Sequence, residues 1–224
     1  MLDWTAVEHS VGRLDLEDRL LAEVDGGLAK MDRSVLHKLA EEFHRRGVLP
    51  GYIGLTVDLE TALTAASIEA ELVRCFALID VAAELGFGIV RVPGNAVQPG
   101  LPEAAAWAMI KSKFKRAVAY ARERGVTVGL HNHAGLGNAI PASAAGLLAM
   151  LEQVPGLQLI LDVGNGNFTG CPELHSAGQC PPERLYREVA ACVHKAAVVR
   201  LKFVDCGSGT EQFIDYSQIG RAHV

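Results

Sequence analysis

The sequence predicts an α/β fold with a parallel sheet. Three stretches carry that reading: Val126-Thr127-Val128-Gly129-Leu130-His131-Asn132-His133, Leu159-Ile160-Leu161-Asp162-Val163-Gly164-Asn165 and Ala197-Val198-Val199-Arg200-Leu201-Lys202-Phe203. Each is a short apolar run that ends in polar, chemically able residues, and each follows a stretch of helical periodicity. Strands alternating with helices imply βαβ crossovers and a parallel sheet. Wholly apolar runs suit strands covered on both faces. In an α/β barrel such strands deliver their C-terminal residues to one face, so three runs distant in sequence would converge on one pocket.

The elements follow in order. Ser34 to Arg46 repeats apolar residues at helical spacing (Val35, Leu36, Leu39, Phe43), with Asp32 or Ser34 as N-cap and Gly47 as stop. Tyr52 to Leu59 reads as a buried strand. Ala65 to Leu85 reads as a long amphipathic helix closed by Gly86, and Gly88 to Val92 as a strand ended by Pro93-Gly94. Glu103 to Arg124 is a helix closed by Gly125, and its charges (Lys113, Lys115, Arg116, Arg122, Glu123, Arg124) read as a solvated face. Ala142 to Gln153 is a helix stopped near Pro155-Gly156. Pro181-Pro182-Glu183 opens the last helix, since proline is tolerated in a first turn. That gives five clear strands and a weak one at Gly27 to Met31, where a full barrel needs eight. The count leaves two readings, an open sheet or an incomplete barrel.

Composition narrows the function classes. The chain has 224 residues, half of them hydrophobic, and a formal net charge of −5. No basic cluster with interleaved aromatics points to nucleic acid, and no apolar run reaches the roughly 18 residues of a membrane span. The N-terminus lacks the basic and apolar regions of a secretory signal. The five cysteines form no CxxC pair, so they read as free thiols of a reducing, cytoplasmic compartment. A Cys171–Cys180 bridge is the minority reading.

Four motifs are similar to those of one family. His131-Asn132-His133-Ala134-Gly135, Leu161-Asp162-Val163-Gly164-Asn165, Val199-Arg200-Leu201-Lys202 and Ile214-Asp215-Tyr216 together resemble the xylose-isomerase-like barrel superfamily of sugar-phosphate isomerases and epimerases, over Leu20 to Ser217. The resemblance implies a parallel (β/α) barrel of TIM type, present as about strands two to seven with strand eight missing. The barrel domain would span residues 1–217. Residues 218–224 (Gln218 to Val224) resemble a translated sequencing adapter, with a natural basic tail as the other reading. Missing end strands would leave two parallel edges that invite aggregation, so this fragment is expected to be poorly stable and inactive.

The resemblance also implies a divalent metal (Mn, Mg, Co or Zn) held by Glu, Asp, His and Glu. Asp162 matches the metal Asp, and His131 stands where the first Glu usually is. Arg200 stands where the His usually is, which argues against the metal, because a guanidinium has no lone pair to give and is always charged. Arg200 and Lys202, two apart on one strand, share a face and suit a carboxylate or phosphate.

Each residue also has a plainer reading. For Asp162 the plainer readings are a turn-stabilising carboxylate, or the partner of Arg200 and Lys202 in a buried ion pair. His131 and His133 share one face with Asn132 on the other, and a lone histidine there is usually structural. Asn165 is as good a turn former as a hydroxyl binder. Gly94-Asn95 and the Gly135-to-Asn138 loop are weak candidates for a ligand cradle.

The function this implies is isomerisation or epimerisation of a sugar, polyol or sugar phosphate by proton abstraction next to a carbonyl. His131 and Asp162 would be catalytic or metal-holding. His133, Asn165, Arg200 and Lys202 would bind substrate. The partner is a small molecule, not nucleic acid or membrane, and a homo-oligomer is left open. The alternatives are a non-catalytic carbohydrate- or anion-binding barrel and, more remotely, a metal-dependent endonuclease-type phosphodiesterase.

Overall fold

The computed structural model describes residues 13–17, 32–56, 62–132, 139–141, 143–163 and 182–200. The elements are β1 (Arg13–Glu17), α1 (Arg33–Arg45), β2 (Leu49–Gly54), α2 (Ala65–Leu85), β3 (Ile89–Pro93), β4 (Asn95–Ala96), α3 (Glu103–Arg122), β5 (Thr127–His131), β6 (Ala139–Ile140), α4 (Ala144–Gln153), β7 (Gln158–Asp162), α5 (Pro182–Cys192), a 3-10 turn (Val193–Lys195) and β8 (Ala196–Arg200). Six strands pair in the order β1-β2-β3-β5-β7-β8. The class is α/β, that of an incomplete TIM-type barrel. No helix of the described residues is long and apolar enough to cross a membrane.

The chain divides into two compact units: residues 1–56, 69–92 and 116–128, and residues 57–68, 93–115 and 129–224. In the first, β1 pairs in parallel with β2 and β2 with β3, and Thr127 N donates to Gly88 O at 2.9 Å. Asp32 caps α1 by accepting from Ser34 N at 2.7 Å, and Gly47 at φ 64° ends it. Leu36 and Phe43 bury the inner face of α1, whereas Val35, expected on that face, is exposed. Phe43 meets Phe87 edge to face at 5.6 Å. Leu72, Cys75, Leu78, Ile79 and Ala82 form the buried stripe of α2 at helical spacing.

Strand β1 is an addition that the sequence reading lacks. The weak candidate at Gly27–Met31 lies outside the described residues, and the edge strand is Arg13–Glu17. Its charges hid it, because they are taken up by neighbouring strands. Asp15 Oδ1 accepts from Tyr52 N at 3.0 Å, and Glu17 pairs with the buried Arg91. That pair crosses over Gly54, where a Cβ would stand 2.5 Å from Arg91 Nη2. Strand β2 also begins earlier than expected, at Leu49, since a proline near the start of a strand is tolerated.

The second unit holds the C-terminal half of β5 with β7 and β8, all parallel. Strand β7 is buried from Leu159 to Asp162, as strands covered on both faces are. Ser143 caps α4 by accepting from Gly146 N at 3.1 Å, and Glu188 of α5 accepts from Ala144 N at 2.7 Å. The segments β4 and β6 form a small antiparallel pair.

Lys113 is a correction to the sequence expectation. The sequence places it on a solvated face, yet its side chain is among the most buried of the described residues. Its Nζ donates to Pro93 O at 3.2 Å and to Asn95 Oδ1 at 2.5 Å. A long aliphatic stem lets a lysine cross an apolar layer and deliver its charge to acceptors beyond it.

Candidate active site

The site lies within the second unit, at the C-terminal ends of β5, β7 and β8. Parallel pairing sets Leu130 beside Leu159, His131 beside Ile160, and Asp162 beside Arg200. The last residue of each strand is polar. Asp162 and Arg200 are level, and His131, level with Ile160, stands two residues below Asp162 on the same face, so its ring spans that step. Asp162 is 0% exposed, His131 2%, and the Arg200 side chain 30%. Of the three, Arg200 is the one that reaches solvent.

The three functional atoms make a triangle. His131 Nε2 is 3.5 Å from Asp162 Oδ2. Arg200 Nη1 is 3.6 Å from Asp162 Oδ2 and 3.3 Å from His131 Nε2. A guanidinium only donates, so the Arg200–His131 contact assigns the lone pair to Nε2 and the ring proton to Nδ1. One donor nitrogen thus faces two acceptors.

A residue that sequence alternation left without a role positions this triangle. Asn132 Nδ2 donates to Asp162 O at 2.8 Å, and Asn132 Oδ1 accepts from Asp162 N at 2.7 Å. The side-chain amide continues the ladder between β5 and β7 one step beyond the last paired residues. Val163 N donates to Arg200 O at 3.2 Å and does the same between β7 and β8. The signal for Asn132 was its place, an amide at a strand end flanked by two histidines.

The structure brings His131, Asp162 and Arg200 together. His133, Asn165, Lys202 and the Gly135-to-Asn138 loop lie outside the described residues. So do Cys171, Cys180, the Ile214-Asp215-Tyr216 motif and residues 218–224. The Gly94-Asn95 cradle takes a structural form instead. Asn95 accepts from Lys113 and pairs with Ile140, and Gly94 is packed against the Ile140 carbonyl.

A divalent metal does not fit this arrangement. The spacing of Nε2 and Oδ2 suits two ligands of one ion, since donors about 2.1 Å from a metal stand roughly 3 to 3.5 Å apart. The nitrogen that faces both, however, is the Arg200 guanidinium. An ion about 4 Å from that charge would meet roughly 8 kcal/mol of repulsion at an effective dielectric of about 20. Among the described residues no group of three His, Cys, Asp or Glu could hold a metal.

Parallel strands with helices between them, their polar ends meeting in one cluster, are the arrangement of a TIM-type α/β barrel. The chain belongs to the xylose isomerase-like TIM-barrel family, whose model matches residues 17–210. Solved structures agree on the fold. A D-tagatose 3-epimerase-like protein superposes with a TM-score of 0.71 at 15% identity, covering 96% of this chain and 78% of its own. A D-psicose 3-epimerase determined in the presence of D-fructose gives 0.59 at 13% identity, covering 94% and 85%. A xylose isomerase-like TIM-barrel protein from Mycobacterium smegmatis in complex with magnesium gives 0.64 at 17% identity, covering 96% and 73%. No curated protein sequence matches the chain.

Proposed function

We propose that the protein is a sugar, polyol or sugar-phosphate isomerase or epimerase that removes a proton next to a carbonyl. The observation that carries this reading is the His131–Asp162–Arg200 triangle at the ends of adjacent strands, in a chain of this family. His131, with its lone pair on Nε2, is the general base. Arg200, half in solvent, turns N–H groups toward the oxygen that gains charge as the proton leaves. Asp162 balances Arg200 and fixes its direction. His133 and Asn165 hold substrate hydroxyls, and Lys202 adds a second cation for an anionic group.

The test is proton exchange. The protein is incubated in deuterated water with a panel of ketohexoses and their phosphates, and NMR follows the carbon next to the carbonyl. Deuterium incorporation that is lost in His131→Gln and in Asp162→Asn is the expected result. Sugar binding by calorimetry with no exchange for any panel member would move the protein to the non-catalytic carbohydrate-binding reading, which the Arg200 substitution favours.

A further inference from the structure

We propose that the Arg200 guanidinium is the resident cation of this site, standing where a divalent ion would otherwise bridge His131 and Asp162, so that the site works without a metal. The inference rests on the His131–Asp162–Arg200 cluster being the working site, as read above.

Three observations carry it. Arg200 Nη1 lies 3.3 Å from His131 Nε2 and 3.6 Å from Asp162 Oδ2, so one nitrogen addresses both acceptors. Those acceptors are 3.5 Å apart and nearly or fully buried, and a buried carboxylate is stabilised by a compensating charge, which Arg200 supplies. The pairing is built into the backbone, because Asp162 and Arg200 are register partners and Asn132 holds the Asp162 backbone from the other side.

The chemical consequence is specific. A metal polarises a substrate oxygen by direct coordination, whereas a guanidinium can only donate N–H bonds to it. Substrate oxygens would therefore be gripped by a planar, bidentate donor that chelators cannot remove.

The test is a Mn²⁺ titration of the whole chain by calorimetry and EPR, read without turnover. Wild type is expected to bind more weakly than about 1 mM and to be indifferent to Asp162→Asn. Arg200→His replaces the donor-only group by an imidazole beside His131 and Asp162, and is expected to gain affinity by about 100-fold, as completing a donor set does. That gain should vanish in the Arg200→His, Asp162→Asn double variant. Arg200→Lys, which keeps a cation, should fold and gain nothing. Micromolar Mn²⁺ binding by wild type that Asp162→Asn abolishes would overturn the proposal, as would a folded Arg200→His with no gain. Should Arg200→His not fold, the wild-type titration decides alone. Deuterium exchange tests the isomerase reading separately, so failure of either can be told from failure of the other.

Discussion

Asn132 grips Asp162 by its backbone, not by its carboxylate. The amide nitrogen gives a bond of 2.8 Å to Asp162 O and the amide oxygen receives one of 2.7 Å from Asp162 N. Both residues are buried, so neither bond is exchanged for water when lost. Asp162 can then turn its carboxylate toward His131 and Arg200 while its main chain stays fixed.

Asn132→Ala is therefore expected to destabilise the protein by about 2–4 kcal/mol, from two lost bonds and two buried backbone groups left unsatisfied. Asn132→Asp should cost at least as much, because a carboxylate cannot donate to Asp162 O and adds a second buried negative charge. Urea midpoints of the three proteins check this. A midpoint for Asn132→Ala within error of wild type would show that the amide bridge contributes nothing.

Gly94 gives a prediction about packing. A Cβ there would collide with the Ile140 carbonyl oxygen and stand 2.9 Å from Ile140 C. The obstacle is backbone, which cannot swing aside as a side chain can, and relief would part β4 from β6. Gly94→Ala is expected to cost about 1–3 kcal/mol. Gly88→Ala is the control, since nothing lies within 4 Å of a Cβ there. It should be neutral or slightly stabilising by restricting the unfolded chain. Thermal unfolding of the pair checks the contrast.

Cys192 gives a pH dependence. Burial, with a smaller contribution from Glu188, pushes its thiol from 9.0 up to about 12, and its Sγ contacts Glu188 O at 3.3 Å. Above pH 9 the unfolded chain loses this proton while the folded chain keeps it. Ionisation then favours unfolding, and stability falls as pH rises between 9 and 12. Comparing urea midpoints at pH 8 and pH 10 should show a larger drop for wild type than for Cys192→Ala. Equal drops would count against the shift. Iodoacetamide at pH 8 should label the Cys192 peptide far more slowly in the folded protein than in urea.

Much of this was legible in the sequence, and particular residues show why. The bounds of helix α2, Ala65 to Leu85, are legible because Gly86 stops it and its apolar spacing is regular. His131, Asp162 and Arg200 were legible because each ends an apolar run, and a polar residue there has one face to serve. Strand β1 was hidden because Asp15 and Glu17 break its apolar pattern, and their partners, Tyr52 and Arg91, are 37 and 74 residues away. Asn132 was hidden for a different reason: alternation predicts a face, not a bond to another strand's backbone.

Lys113 shows the same limit and allows a sharper test. On a helix with five other charges near it, a lysine reads as solvated, yet here it is 2% exposed. Its Nζ bonds to Pro93 O and Asn95 Oδ1 and stands 4.8 Å from the centre of the Phe114 ring, joining α3 to the segment that follows β3. Lys113→Met keeps most of the stem's volume and removes the donors. It is expected to cost about 1–3 kcal/mol, chiefly by stripping a charged donor from the buried Pro93 carbonyl and the half-buried Asn95 amide. Lys115→Met, on the exposed side of the same helix, should stay within about 0.5 kcal/mol of wild type. The double variant Lys113→Met, Asn95→Ala should cost less than the sum of the single changes, because the two remove one shared bond. Additive costs would show that the Lys113–Asn95 contact carries no coupling and that the buried lysine is held by other groups.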